Sequence, residues 1–192
     1  MIFLLLGLLI FLGTHSVRIF ADGWRTRLMA QRGEGAWKVA YSLVSAVGLV
    51  LIVWGYGLAR AQPVVLWTPP VWGRHLAGLL NLAAFVLIAA AYVPGNTLKA
   101  RLGHPMVLGV KVWAFAHLLA NGTLGAVVLF GAFLAWGIAD FASARRRDRA
   151  AGVVYPAGSL ARDAVTVVVG IVAGAVFAFL LHGWLIGRRP FG

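Results

Sequence analysis

The chain has 192 residues, 61% of them hydrophobic and only 11% charged, with a formal net charge of +12 and no cysteine. A soluble domain carries about a quarter charged residues, so this composition excludes an ordinary water-soluble fold and directs the surplus apolar side chains toward lipid. The missing cysteine excludes disulfides, thiolate metal sites, iron–sulfur clusters and thioether-linked haem, and leaves histidine and oxygen as ligands.

The apolar runs are much longer than the roughly 10 residues that cross a barrel wall, and strand-type alternation is absent. Helices are the remaining spanning element, because hydrocarbon cannot satisfy an unpaired backbone group. The expected fold is all-α: a polytopic transmembrane helical bundle of about six spans, forming a single integral membrane domain over 1–192.

The first span runs near 2–20. No basic segment precedes it, and Arg18, Arg25 and Arg27 come at or after its end, so it reads as a retained helix with its N-terminus outside. The second and third spans are expected near 39–58 and 71–93. Between them, Pro63 and Trp67-Thr68-Pro69-Pro70 make an extended, aromatic loop suited to the interface. The apolar stretch from His104 to Phe141 would measure about 57 Å as one helix, nearly twice the hydrocarbon thickness. Asn121-Gly122 is a turn signal near its middle, so it divides into spans near 104–121 and 123–141. The sixth span is expected near 164–186.

Charge supports this count. Six spans put Arg25, Arg27, Arg32, Lys38, Lys99, Arg101, Arg145, Arg146, Arg147, Arg149 and Arg162 on one side, and Arg60, Arg74, Arg188 and Arg189 on the other. Five spans would divide them almost evenly. The positive-inside bias therefore selects six, with both termini periplasmic in a bacterial inner membrane. The same bias, with anionic headgroups, accounts for the basic excess, and no nucleic-acid partner is expected.

Ionisable residues inside spans are costly and usually functional. His15 lies in the first span with Arg18 three residues on, on the same side of the helix. Two readings stand: a metal or haem ligand beside a cation able to meet a propionate, or a bundle histidine bonded to a carbonyl with Arg18 snorkelling. The fourth span carries His104, Lys111, Trp113, His117 and Asn121. Lys111 lies within about 20° of His104 around the helix, whereas His117 is about 140° away, beside Trp113 and Asn121. The two histidines thus face apart, which excludes a stacked pair of haems held by two co-facial histidines on each of two helices. His104, before Pro105, also fits an interfacial cap. His75 and His182 lie near outer span ends and read as interfacial. The Arg145–Arg149 run reads as a stop-transfer and lipid anchor.

Thr14-His15-Ser16 with Arg18, Tyr41-Ser42-Leu43 with Ser45, Trp67, Gly103-His104-Pro105-Met106, Trp113 and His117-Leu118-Leu119-Ala120-Asn121-Gly122 together resemble the NnrU family of bacterial membrane proteins, over roughly residues 1–150. The resemblance implies a link to denitrification, in nitrite and nitric oxide reduction. Through the plant relative 15-cis-ζ-carotene isomerase, it also implies a haem b protein that isomerises a polyene using redox-dependent histidine ligation. The ligands it implies for the haem iron are His15 and His117. His104 is a further matching histidine, Arg18 is a candidate propionate partner, and Asn121 and Trp113 would orient His117 and line the pocket. The partners implied are the bilayer and either a hydrophobic polyene substrate or a respiratory reductase.

Two other classes compete. One is a non-enzymatic assembly or maturation factor for a respiratory reductase. The other is a membrane S-adenosylmethionine-dependent methyltransferase. Arg101 to Gly109 matches the cofactor segment of those enzymes only loosely, and their paired glutamates are missing because Glu34 is the single Glu.

Overall fold

The computed structural model describes residues 1–190. The described residues are helical almost throughout: α1 (Ile2–Phe20), α2 (Asp22–Arg32), α3 (Glu34–Ala61), α4 (Val71–Tyr92), α5 (Thr97–Leu102), α6 (Pro105–Ala120), α7 (Leu124–Ala150), α8 (Leu160–Val176) and α9 (His182–Ile186). Phe177–Leu181 forms one wider π-type turn joining α8 to α9. Among the described residues five helical segments are long and apolar enough to cross a membrane, and α6, at the place of the expected fourth span, is apolar but shorter at 16 residues.

The expected division at Asn121-Gly122 is present, since α6 ends at Ala120 and α7 starts at Leu124. Helices overrun the apolar spans elsewhere. The third helix begins at Glu34, where Lys38 pairs with Glu34 at 2.8 Å one turn away. The seventh continues nine residues past Phe141 through the Arg145–Arg149 run, because the Ala and Arg residues there favour helix until Gly152 breaks it with φ +62°. The expected loop between 20 and 39 contains the basic helix α2, closed by Gly33 at φ +84°.

The chain forms two compact units. The first contains residues 1–68 and 121–140. Here α1 and α3 run antiparallel, with Leu4 against Gly55, Gly7 against Ile52, Phe11 against Gly48 and His15 against Tyr41. Association of helices in lipid relies on close packing of small residues rather than on the hydrophobic effect. A Cβ on Gly7 would lie 2.5 Å from Ile52 N, one on Gly48 2.7 Å from Phe11 N, and one on Gly55 2.2 Å from Leu4 N. These glycines set the spacing and the register, and that register brings Ser45 level with Thr14 and His15. The Asn121-Gly122-Thr123 turn is tied to the 64–67 loop by short extended pairing: Leu66 and Trp67 N–H groups donate to Gly122 O at 2.8 and 3.1 Å, and Leu124 N donates to Val64 O at 2.9 Å.

The second unit contains residues 69–120 and the chain from Phe141 onward. Its central helix is α4, which packs on α6 where Gly109 meets Ala84 O and Gly73 meets Leu119 O, and on α8 where Gly170 meets Val86. Asn96 caps α5, its Oδ1 accepting from Lys99 N at 2.7 Å. The carboxylate of Asp163 reaches back to the same turn and accepts from Thr97 N at 2.7 Å and from the Thr97 hydroxyl.

Candidate functional site

In the first unit, three successive polar side chains of α1 bond to their own helix one turn back. Thr14 Oγ1 donates to Ile10 O at 2.7 Å, Ser16 Oγ donates to Leu12 O at 2.6 Å, and His15 Nδ1 lies 2.7 Å from Phe11 O. A carbonyl oxygen can only accept, so the proton of a neutral His15 is on Nδ1 and its lone pair is on Nε2. The ring is half-buried among aromatics. It stacks on Phe11 at 4.2 Å, is tilted to Tyr41 at 5.1 Å, and meets Trp136 edge-on at 6.0 Å. Two buried polar atoms close to this level, Ser45 Oγ and Trp136 Nε1, have no hydrogen-bond partner.

In the second unit, His117 repeats the arrangement on α6. Its Nδ1 lies 2.8 Å from Trp113 O, and its ring is tilted to the Trp113 indole at 5.2 Å. The same chemistry follows: Nδ1 carries the proton and Nε2 the lone pair. Trp113 thus orients His117 through its main chain as well as its ring. Asn121 lies one residue past the end of α6.

His104 is placed differently. Its Nε2 lies 2.8 Å from Asp148 Oδ2, and Tyr155 OH donates to the same oxygen at 2.9 Å. Phe141 and Tyr155 both meet the imidazole edge-on, at 6.4 and 6.3 Å. Gly103, at φ +75°, adopts a backbone conformation that other residues enter only with strain, and the Arg145 guanidinium and Tyr155 ring stand 3.0 and 3.2 Å from where a Cβ would lie. Asp148 lies on the arginine-rich extension of α7, past its apolar stretch. Burial alone would raise its carboxyl, but hydrogen bonds from Tyr155 and His104, with the charges of His104 and Arg145, hold it below the ordinary carboxylate value. The Tyr155 hydroxyl is pushed up, by burial first and then by Asp148.

The remaining ionisable groups have local roles. Lys111 sits 4.8 Å above the Phe141 ring as a cation–π pair. His182 Nδ1 lies 2.6 Å from Arg188 O, and His75 is exposed. Arg18 occupies the last turn of α1, three residues beyond His15. Among the described residues no three His, Asp or Glu side chains come together as a cage for a metal ion.

A haem iron needs no such cage, since one or two neutral imidazole nitrogens suffice. Ligating histidines usually donate their other ring N–H to a carbonyl or carboxylate, which fixes the tautomer and raises the basicity of the ligating nitrogen. His15 and His117 meet that requirement through Phe11 O and Trp113 O, and their donor chemistry fits the group. His104 has its Nε2 engaged by a carboxylate, which suits a structural role. Sequence reasoning missed Asp148 and Tyr155, and the one available signal was an acidic residue inside an arginine run.

The family model for NnrU protein matches residues 3–190, nearly the whole chain. The chain belongs to the NnrU family. The match extends past residue 150, so α8 is as much a part of this NnrU protein as the motif-bearing helices before it. No curated protein and no solved structure matches the chain.

Proposed function

We propose that this NnrU-family membrane protein binds haem b through histidine Nε2, and that His15 and His117 are the residues that would ligate it. The observation that carries the reading is the repeated geometry: each imidazole holds its Nδ1 proton on a carbonyl one turn back in its own helix, at 2.7 and 2.8 Å. Structurally unrelated neighbours, Phe11 and Trp113, achieve the same tautomer in two helices of the chain.

Haem supplies a redox-active iron when bound. The chain's part is to hold two rings in fixed tautomers and to keep water away from them. For His15 this is done by the faces of Phe11 and Tyr41 and the edge of Trp136. For His117 it is done by Trp113. Arg18, on the same side of α1 as His15, offers a cation for a propionate. Family membership extends the proposal to a haem-linked step in nitrite or nitric oxide reduction, or in cis–trans isomerisation of a polyene. The arginine-rich ends of the helices support a bacterial inner-membrane location with those ends cytoplasmic.

The test is the pyridine haemochrome of the detergent-purified protein after expression with ample haem. The expected result is a b-type spectrum, with haem content reduced in His15→Ala and in His117→Ala and unchanged in the exposed His75→Ala. Equal haem content in all four proteins would sink the ligand assignment.

A further inference from the structure

We propose that Tyr41, Trp37 and Trp24 form a one-electron conduit that links the His15 site to the exposed, basic end of the first unit, where a small anionic thiol supplies the electron. The proposal rests on the haem reading only for the oxidant that stands at His15, and its test needs no haem.

The rings follow one another without a gap. Tyr41 lies 5.1 Å from His15, Trp37 lies 6.1 Å from Tyr41, and Trp24 lies 5.9 Å from Trp37, centroid to centroid. Such separations are direct ring contacts. Helix geometry explains the series. Trp37 and Tyr41 are four residues apart and so share one face of α3, and α2 packs against the same helix and brings Trp24 to it. The outermost ring, Trp24, is 50% exposed, while Trp37 and Tyr41 are partly covered.

Residue type selects electron transfer over mere packing. Tryptophan and tyrosine give up one electron far more readily than phenylalanine does. Phe11 also stacks on His15, but it is not a ring that carries an electron deficit. Trp136 meets His15 as well, yet among the described residues it touches no further ring. The series through Tyr41 is the one that reaches the surface.

Charge fits the direction of flow. The Arg25 guanidinium stands 5.9 Å over the Trp37 ring, so positive charge on that ring is costly and the electron deficit passes on to Trp24. Trp24 itself sits on α2, whose sequence holds Arg25, Arg27 and Arg32 against one acid, Asp22. A cationic surface of this kind draws an anionic reductant.

Each ring gives one electron to its inner neighbour, and a thiolate refills Trp24. In the haem reading the oxidant is iron oxidised by a hydroperoxide. The sum balances: two thiols give two electrons and two protons, which turn one hydroperoxide into an alcohol and water and leave one disulfide.

The experiment is flash photolysis of the intact chain in detergent micelles, carrying a ruthenium polypyridyl photo-oxidant on Val44→Cys, an exposed position one turn beyond Tyr41. The chain has no cysteine of its own, so the label has a single site. An irreversible quencher generates the oxidant, and radical decay is followed by transient absorption with and without glutathione. Each variant is checked for monodispersity. The labelled parent is expected to form a radical that glutathione clears. Trp37→Phe, which keeps a ring in place, is expected to leave a tyrosyl radical that glutathione no longer clears, whereas Trp37→Tyr restores clearance. Trp24→Phe is expected to slow clearance, and Trp54→Phe, off the path, to leave it unchanged. Equal clearance in Trp37→Phe, or no clearance in the labelled parent, would overturn the proposal. The two readings fail separately, because His15→Ala is expected to lower haem content while leaving radical clearance as it was.

Discussion

His104 and Asp148 lie 44 residues apart and meet at 2.8 Å, joining the start of α6 to the arginine-rich end of α7, with Tyr155 bonded to the same carboxylate oxygen. Because the Asp148 carboxyl is held below its ordinary value of 3.8, its stabilising contribution is complete above that value and is lost as pH falls through the lower folded value. Tyr155 works in the opposite sense. Its hydroxyl is held above the ordinary 10.0, so its contribution is complete below pH 10 and is lost as pH rises through the folded value. Thermal unfolding in detergent, measured across pH, is expected to show Asp148→Asn less stable than wild type at pH 7, with the difference closing on acidification below pH 4. Tyr155→Phe is expected to flatten the alkaline limb. Parallel pH profiles for all three proteins would contradict this.

The Asn121-Gly122 turn depends on the absence of a side chain. A Cβ on Gly122 would fall 1.8 Å from the Trp67 carbonyl oxygen, a main-chain atom that cannot move without breaking the 64–67 pairing. Gly122→Ala is expected to destabilise the protein by about 1–3 kcal/mol, the usual cost of forcing atoms into a filled space. Gly131→Ala, where the new methyl meets nothing, is expected to change stability by less than about 0.5 kcal/mol. Denaturant titration of both variants provides the comparison.

The register of α1 on α3 can be tested at Gly48. A Cβ there would lie 2.7 Å from Phe11 N, a main-chain atom that cannot give way without moving the helix. Gly48→Ala is expected to destabilise the protein by about 1–3 kcal/mol, whereas Gly57→Ala, where the new methyl meets nothing, is expected to change stability by less than about 0.5 kcal/mol. Equal denaturant midpoints for the two variants would contradict the close approach of α1 and α3.

What could be read from the sequence followed range of interaction. The Asn121-Gly122 turn was visible because its chemistry is local. Apolar runs located the spans but not the helix ends, because lipid selects apolarity while the backbone continues through Glu34 or Arg145 to the next glycine. The Nδ1 bonds of His15 and His117 follow from helical i−4 geometry and lay within reach of local reasoning. The Asp148–His104 contact did not, since nothing at either position specifies a partner 44 residues away. Asn121 shows the same limit from the other side: helical spacing aligned it with His117, but the helix stops one residue before it.

The central claim is that His15 and His117 are iron ligands through Nε2, and the most direct measurement is the reduced-minus-oxidised optical spectrum of wild type, His15→Ala and His117→Ala, with and without added imidazole. The expected result is a b-type difference spectrum in the wild type that shifts or weakens in each variant and returns toward wild type when imidazole occupies the vacated position. Spectra that are identical in all three proteins, or no haem signal in any of them after expression with ample haem, would contradict the claim.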